Sequence, residues 1–261
     1  MTIKALLNTI HAAATIGSDG VGLLTFQNSG KLNLLNSPAM SDILHALNVL
    51  QDQESIKVLI FRAEGERAFI GGADLRELVT LTEATARGFI TRLREVCDAI
   101  YTFPVPVIAR LAGWCIGGGL EVALSCDLRI ADSSARFGMP EVAVGIPSVI
   151  HAALLPRLIG SSMASWLLLT GESIDATIAM RCGLVHELVD PGALDERVSA
   201  RAAQLASIGP AVLRQQKRLL REWQSQSLAE SINHSIDEFV AAYTTGEPQQ
   251  FMTRFLERRR P

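Results

Sequence analysis

The sequence predicts an α/β fold in which strands alternate with helices, followed by a helical C-terminal region. Five short apolar runs have the length and composition of buried strands, and the segments between them carry apolar residues every three or four positions. No strand signal follows Val189, and from about Glu196 onward the pattern is helical. We therefore predict a core over residues 1–195 and a helical region over residues 196–261.

The individual elements follow from local patterns. The predicted strands are Val21–Gln27, Ile56–Arg62, Val105–Leu111, Asp127–Ala131 and Leu184–Val189. A helix is predicted to begin at Asn36-Ser37-Pro38, because proline is favoured in the first helical turn. A second helix has one apolar face, formed by Phe89, Leu93, Val96 and Ile100. A third helix is predicted to end at Gly183. Apolar residues at helical spacing in the C-terminal region include Val212, Leu219, Trp223, Leu228, Ile232, Ile236, Phe239 and Tyr243.

A glycine triplet, Gly117-Gly118-Gly119, lies between the apolar run Val105–Ile116 and a helix-like run that starts at Glu121. Glycines at such a junction let the backbone approach a ligand, and the free N–H groups of a helix N-terminus stabilise a negatively charged oxygen. A carboxylate beside those donors favours acid/base chemistry on a substrate that develops an oxyanion. An isolated triplet is also typical of a plain turn, and this one matches neither a phosphate loop nor a dinucleotide fingerprint.

Three further segments indicate the same kind of site. Ala68–Leu78 places a second glycine pair, Gly71-Gly72, between a strand and a helix. Phe137–Pro147 places a second carboxylate, Glu141, after a proline in a mostly apolar setting, which predicts a raised pKa. The third segment is the basic and aromatic terminus Phe251–Pro261.

Together these segments resemble, in the same order, the motifs of the enoyl-CoA hydratase/isomerase (crotonase) superfamily, over about residues 20–260. The resemblance implies a crotonase-like ββα superhelix with a C-terminal all-helical oligomerisation region, commonly a homotrimer or a hexamer of paired trimers. It also implies an acyl-CoA thioester substrate and, because two glutamates are present, hydration of a 2-enoyl-CoA. This fold supports many chemistries. Acyl-CoA isomerisation, hydrolysis, decarboxylation and binding without turnover therefore remain alternatives.

The resemblance also assigns catalytic roles. Ala73 and Gly118 would provide the two backbone N–H groups that hold the thioester oxygen and stabilise the enolate. Glu121 would orient and deprotonate the water, and Glu141 would share that water and deliver a proton to the α-carbon. Burial and like-charge repulsion should push the two pKa values apart. Each glutamate could instead be a solvated surface carboxylate, and the two N–H groups could belong to ordinary turns.

The CoA contacts follow from the same resemblance. Lys31 matches a basic residue near the CoA, and Ala73-Asp74-Leu75-Arg76 matches the segment along its adenine end. Phe255 and Arg258 match a C-terminal pair that reaches the CoA of a neighbouring subunit. Lys31 could equally be a surface lysine, and Arg258 could belong to a solvated basic tail. No metal and no separate cofactor is expected, since CoA is part of the substrate.

The chain departs from the hydratase pattern after Pro147. Hydratases usually continue with G-A-G-G-T-Q-R-L, whereas this chain has the bulkier Ser148–Leu158 and is one residue shorter before the proline. His151 in this segment could take part in proton transfer. A histidine satisfied by its surroundings on the side of a helix is the more common case. The departure leaves the acyl-chain length open.

Composition narrows the remaining possibilities. The net charge of −3 gives no electrostatic reason to expect nucleic acid or an anionic membrane as a partner. No uninterrupted apolar run is long enough to span a bilayer, and the N-terminus has no signal-peptide pattern. The cysteines show neither C-x-x-C nor zinc spacing, so we expect reduced thiols in the cytoplasm. They are Cys97, Cys115, Cys126 and Cys182.

Overall fold

A computed structural model describes residues 2–28 and 30–257, whose strands form two sheets. The strands are β1 (Ile3–Asn8), β2 (Ala12–Gly17), β3 (Val21–Phe26), β4 (Val58–Ala63), β5 (Ala68–Ile70), β6 (Val107–Leu111), β7 (Trp114–Ile116), β8 (Leu128–Asp132), β9 (Arg136–Gly138), β10 (Ile174–Asp175) and β11 (Glu187–Val189). The helices are α1 (Ser37–Gln51), α2 (Leu75–Leu78), α3 (Glu83–Tyr101), α4 (Gly118–Ser125), α5 (Leu155–Thr170), α6 (Ala176–Arg181), α7 (Leu194–Ala206), α8 (Pro210–Glu222), α9 (Leu228–Ala242) and α10 (Glu247–Glu257). The predicted α/β class is confirmed.

The larger sheet has the strand order β1-β2-β3-β4-β6-β8-β11, antiparallel up to β3 and parallel beyond it. The smaller sheet has the order β10-β9-β7-β5, and β9, β7 and β5 are parallel. A unit of three elements recurs three times along the chain: a strand of the larger sheet, a strand of the smaller sheet and a helix. The three units are β4-β5-α3, β6-β7-α4 and β8-β9-α5. This recurrence is the ββα arrangement that the sequence resemblance implies.

The small sheet determines where the site lies. Because β5, β7 and β9 are parallel, their carboxyl ends meet at one edge. The two glycine-rich turns follow Ile70 and Ile116, and the segment with the second carboxylate follows Gly138. Three motifs that are far apart in the sequence therefore converge.

The long apolar run of residues 105–116 is divided into β6 and β7, which belong to different sheets. Gly113 lies between them with a φ of 60°, and a Cβ there would stand 2.1 Å from the carbonyl oxygen of Arg67. Only glycine allows this close crossing. The five predicted strands are all present, with ends shifted by up to three residues. The strands β1, β2, β5, β7, β9 and β10 do not show in the sequence pattern.

The helix signals correspond to the structure. Asn36 caps α1, since its side chain accepts a hydrogen bond from the N–H of Ala39 at 2.8 Å, and Pro38 lies in the first turn. Gly183 follows α6 with a φ of 83°. The predicted apolar face of α3 is buried, namely Phe89, Leu93, Val96 and Ile100.

Two clusters of apolar side chains form the core. The larger cluster packs the two sheets against α1, α3 and α4. The smaller cluster lies on the opposite face of the large sheet, where Leu194, Val198 and Ala202 of α7 pack on strands β4, β6 and β8. Every residue of α4 is buried, so the N-terminus of this helix is embedded in the core.

The C-terminal helices α8, α9 and α10 are less buried than the core helix α4. Lys217 and Arg221 fix α8 to the core, since each contacts the Asp127 carboxylate at 2.7 Å. In this single chain α9 and α10 leave apolar side chains exposed, namely Leu228, Ile232, Ile236, Phe239, Val240, Met252, Phe255 and Leu256.

One segment, Ile150–Thr170, has the length and the mean hydropathy, 1.4, of a membrane span by composition alone. It is not one continuous α-helix, because it begins as a 3₁₀ turn and Gly160 has a non-helical φ of 74° and ψ of 156°. Leu155 and Leu167 are buried inside the protein. Only 28% of its most apolar stretch is buried, and a single segment of this kind is weak evidence for a membrane span.

Candidate active site

Four predicted residues meet at the edge of the small sheet. Ala73 follows β5, Gly118 follows β7 and begins α4, and Glu141 follows β9. Glu121 lies on the first turn of α4. The structure thus gathers the four residues that the sequence resemblance singles out for chemistry.

Ala73 and Gly118 present backbone N–H groups in adjoining turns. Neither N–H meets an acceptor within the described part of the chain. The turns are in close contact, because a Cβ on Gly119 would lie 2.2 Å from the carbonyl oxygen of Ile70. A Cβ on Gly72 would likewise lie 3.3 Å from that of Ile116. Two unpaired backbone donors in adjoining turns suit an oxygen on which negative charge develops.

Glu121 is buried, with 3% of its surface exposed. Burial and, to a lesser extent, the nearby charge of Glu141 together raise its pKa to about 8. Two backbone donors act in the opposite direction, because the N–H groups of Ala152 and His151 hydrogen-bond the carboxylate, the first at 3.0 Å from Oε1. A carboxyl in this environment holds a proton near neutral pH and can exchange it.

Glu141 lies in the 3₁₀ turn Pro140–Val144 and is only half-buried, so its setting is more open than the sequence suggests. Ser148 Oγ donates a hydrogen bond to Glu141 Oε2 at 2.9 Å. The other oxygen, Oε1, lies against the Gly117 backbone, where a Cβ would come within 2.5 Å of it. The carboxylate is therefore confined on two sides.

The segment Ser148–Ala152 contacts both glutamates. Ser148 binds Glu141 through its side chain, and Ala152 binds Glu121 through its backbone N–H. Between them, Ile150 has a φ of 40°. A β-branched residue rarely adopts this left-handed conformation, so the turn is strained. The segment that departs from the hydratase pattern is thus the one that holds the two carboxylates.

The side chain of His151 faces α3. Its Nε2 lies 3.4 Å from Asp98 Oδ1, and its ring packs edge-on against Tyr101 with 5.9 Å between centroids. Burial lowers the pKa of His151. Only the backbone N–H of this residue is directed at Glu121. The imidazole therefore contacts α3 and not Glu121, and its buried Nδ1 has no hydrogen-bond partner among the described residues.

The residues with predicted CoA contacts line two hollows. Lys31 lines a hollow of about 540 Å³ with Asn33 and residues 64–67. Asp74 and Arg76 line a second hollow of about 170 Å³. Asn28 and Gly30 belong to both, so the hollows adjoin. Neither glutamate is among the described residues that line them, so the hollows lie outside the glutamate pair.

Asp74, Leu75 and Arg76 form the start of α2. Asp74 caps this helix by accepting the N–H of Arg76 at 2.9 Å. The Arg76 guanidinium, 2.7 Å away, holds the pKa of Asp74 below its usual range. Leu75 is exposed. These contacts give Asp74 a structural role, and the exposed guanidinium remains on the rim of the smaller hollow.

Phe255, one residue of the predicted C-terminal pair, is not part of the glutamate cluster in a single chain. Phe255 is exposed on α10, which packs against the turn Tyr243–Thr245. Arg258 lies outside the described residues. The predicted contact of this pair with the CoA of a neighbouring subunit stays a prediction.

Sequence reasoning missed the residues that orient the carboxylates. Ser148, Ile150 and Ala152 belong to a segment that the sequence marks only as bulky. One sequence signal could have indicated the bond to Glu141: a serine follows Pro147 directly and is close in sequence to that carboxylate. The left-handed backbone of Ile150 has no sequence signal, because isoleucine disfavours it.

Comparisons with known proteins show the family and the fold of the chain. A sequence model described as enoyl-CoA hydratase/isomerase matches residues 17–261. A crotonyl-CoA hydratase of Syntrophomonas wolfei is 35% identical over 230 residues, which are 88% of this chain and 88% of that protein. A short-chain-enoyl-CoA hydratase of Clostridium acetobutylicum is 31% identical over 92% of each chain. A crystal structure of an enoyl-CoA hydratase from Bacillus anthracis superimposes with a TM-score of 0.91 and 28% identity, covering 96% of this chain and 98% of that one. The expected crotonase-like fold is confirmed.

Proposed function

This chain belongs to the enoyl-CoA hydratase/isomerase family, and on that premise we propose that it is an enoyl-CoA hydratase that adds water to a 2-enoyl-CoA thioester. The observation that carries this proposal is the pairing of Glu121 and Glu141 beside two unpaired backbone N–H groups. Addition of water needs one group to take a proton and another to give one. Two neighbouring carboxyls meet that need.

The steps balance over one turnover. The N–H groups of Ala73 and Gly118 hold the thioester carbonyl oxygen, and Glu121 takes a proton from the water. The water oxygen bonds to the β-carbon, and the π electrons of the double bond move to form the enolate. Glu141 then gives its proton to the α-carbon, and the thioester carbonyl is restored. Solvent exchange returns a proton from Glu121 to Glu141, so that only water is consumed.

The pKa of Glu121 bears on how many protons the two carboxyls hold. Addition of water requires that the two carboxyls together hold one proton at the start. The raised pKa of Glu121, about 8, keeps one proton on the pair near neutral pH. For the proposed steps this proton must move from Glu121 to Glu141 when the substrate displaces solvent, which leaves Glu121 ionised to take the proton of water; interaction between the two carboxyls allows that transfer. Removing one backbone donor from such a site typically raises the barrier by about 3–4 kcal/mol.

We further propose that CoA, as part of the substrate, lies along the hollows lined by Lys31, Asp74 and Arg76, and that no other cofactor is needed. The exposed apolar faces of α9 and α10 support assembly into a homotrimer or a hexamer, with residues 196–261 as the helical region beside the core of residues 1–195. All four cysteines are free thiols, which supports a cytoplasmic location.

The test is incubation with short, long, branched and aryl 2-enoyl-CoAs, with loss of the conjugated double bond and product mass both measured. We expect at least one member to gain one water, and Glu121→Gln to abolish that gain. Glu95→Gln is the matched control, since Glu95 is an exposed glutamate on α3. Acyl-CoA binding without any product across the panel would contradict hydration.

A further inference from the structure

The residue after Pro147 carries a hydroxyl where the hydratase pattern has glycine. We propose that this residue, Ser148, is a positioning residue that sets which oxygen of Glu141 transfers the proton at the α-carbon. The inference rests on the proposed role of Glu141 in that transfer. It goes beyond the family pattern, because a glycine at this position has no side chain with which to hold a carboxylate.

Glu141 needs such a partner because, without Ser148, the Gly117 backbone would confine its carboxylate on one side only. The side chain is half-buried on a 3₁₀ turn, and it has three rotatable bonds. Within residues 2–28 and 30–257, Ser148 Oγ is the only donor that hydrogen-bonds the Glu141 carboxylate, at 2.9 Å. A hydrogen bond to a charged carboxylate is among the strong ones and fixes the orientation of the group.

The bond also makes the two carboxylate oxygens inequivalent. Ser148 occupies Oε2, and Oε1 lies against Gly117, directly before the oxyanion donor Gly118. The structure therefore assigns proton transfer to Oε1. In hydration the Oε1–H bond breaks, a C–H bond forms on one face of the α-carbon, and the enolate electrons supply that bond.

The position of Ser148 in the chain links the two carboxylates. Four residues later, Ala152 donates its N–H to Glu121 at 3.0 Å. One short turn therefore holds Glu141 by a side chain and Glu121 by the backbone. Loss of the hydroxyl should release only Glu141.

The experiment measures exchange of the two α-protons of butyryl-CoA with D2O. This saturated thioester lacks the double bond to which water adds, so exchange reports on the enolate site and Glu141 alone. We expect Ser148→Ala to slow exchange about tenfold or more, which corresponds to one hydrogen bond to a charged group. We also expect exchange at the two α-positions to become less selective, with KM unchanged. Ser148→Thr, which keeps the hydroxyl, should restore both rate and selectivity.

Ser134→Ala is the matched control, because Ser134 also donates to a carboxylate, that of Asp132, outside the glutamate pair. Wild-type rate and selectivity in Ser148→Ala would overturn the inference, whatever the protein does with enoyl-CoAs. An equal loss in Ser148→Ala and Ser148→Thr, with altered circular dichroism, would also overturn it by making the residue structural. Exchange without hydration in the wild type would contradict the hydratase proposal, and the variants would still decide the role of Ser148.

Discussion

The two glutamates reach the same site by different means. Glu121 is on a helix whose every residue is buried, and backbone N–H groups hold it. Glu141 is on a half-exposed 3₁₀ turn, and one serine hydroxyl holds it. A backbone N–H donor is kept in almost any side-chain substitution, whereas a single substitution can remove a serine hydroxyl. The position of Glu121 is thus fixed by the fold, whereas the position of Glu141 depends on one side chain and can change by a single substitution.

The largest expected effect separates the two roles. Glu121→Gln and Glu141→Gln should each lower kcat for enoyl-CoA hydration by about 10²–10⁴-fold, because each removes a group that transfers a proton. Only Glu141→Gln should also abolish α-proton exchange on butyryl-CoA, since exchange needs no attack by water. Calorimetric binding of butyryl-CoA should be nearly unchanged in both variants. If Glu121→Gln loses exchange as fully as Glu141→Gln, the division of labour between them is wrong.

The second prediction concerns the cost of burying Glu121. Below pH 4.5, its ordinary pKa, the carboxyl is protonated in both the folded and the unfolded chain. As the pH rises to about 8, the unfolded chain ionises while the folded chain keeps its proton, so the free energy of unfolding falls. The loss is on the order of 1.4 kcal/mol for each pH unit in that window.

Urea unfolding at pH 5 and at pH 8 measures this cost. Glu121→Gln should gain stability relative to the wild type as the pH rises, because glutamine does not ionise. Glu95→Gln, on the exposed face of α3, should follow the wild type at both pH values. A gain for Glu121→Gln that is the same at pH 5 and pH 8 would rule out ionisation as the cause.

The contrast between the glutamates also shows what the sequence could and could not predict. Glu121 and Glu141 were identifiable because each belongs to a recognisable motif, the first after a glycine triplet and the second after a proline. The strands β7 and β9 themselves were not identifiable, since three residues show no periodicity. The bond from Ser148 and the strained φ of Ile150 depend on tertiary packing, which overrides local preference.

The third prediction changes the confinement of Glu141 from the opposite side. Gly117 has a φ of 55°, and an added Cβ would stand 2.5 Å from Glu141 Oε1. Gly117→Ala should therefore displace the carboxylate and lower kcat about tenfold or more, with a further loss of stability of about 1–3 kcal/mol from backbone strain. Gly160→Ala is the control, because Gly160 also has a positive φ, 74°, but open space around it. Equal activity losses in the two variants would mean that strain alone is responsible.

The smallest expected effect tests whether backbone or side chain matters at His151. Its ring packs on Tyr101 and its Nδ1 has no partner among the described residues, while its N–H serves Glu121. His151→Phe keeps the N–H and the ring contact and loses only the contact with Asp98, a half-exposed pair worth at most about 1 kcal/mol. Hydration and α-proton exchange should therefore stay within about threefold of wild type, since no proton-transferring group is removed. A hundredfold loss, with thermal unfolding unchanged, would place the imidazole in the proton path. Glu121 would then depend on a side chain as Glu141 does, and the contrast between the two carboxylates would fail.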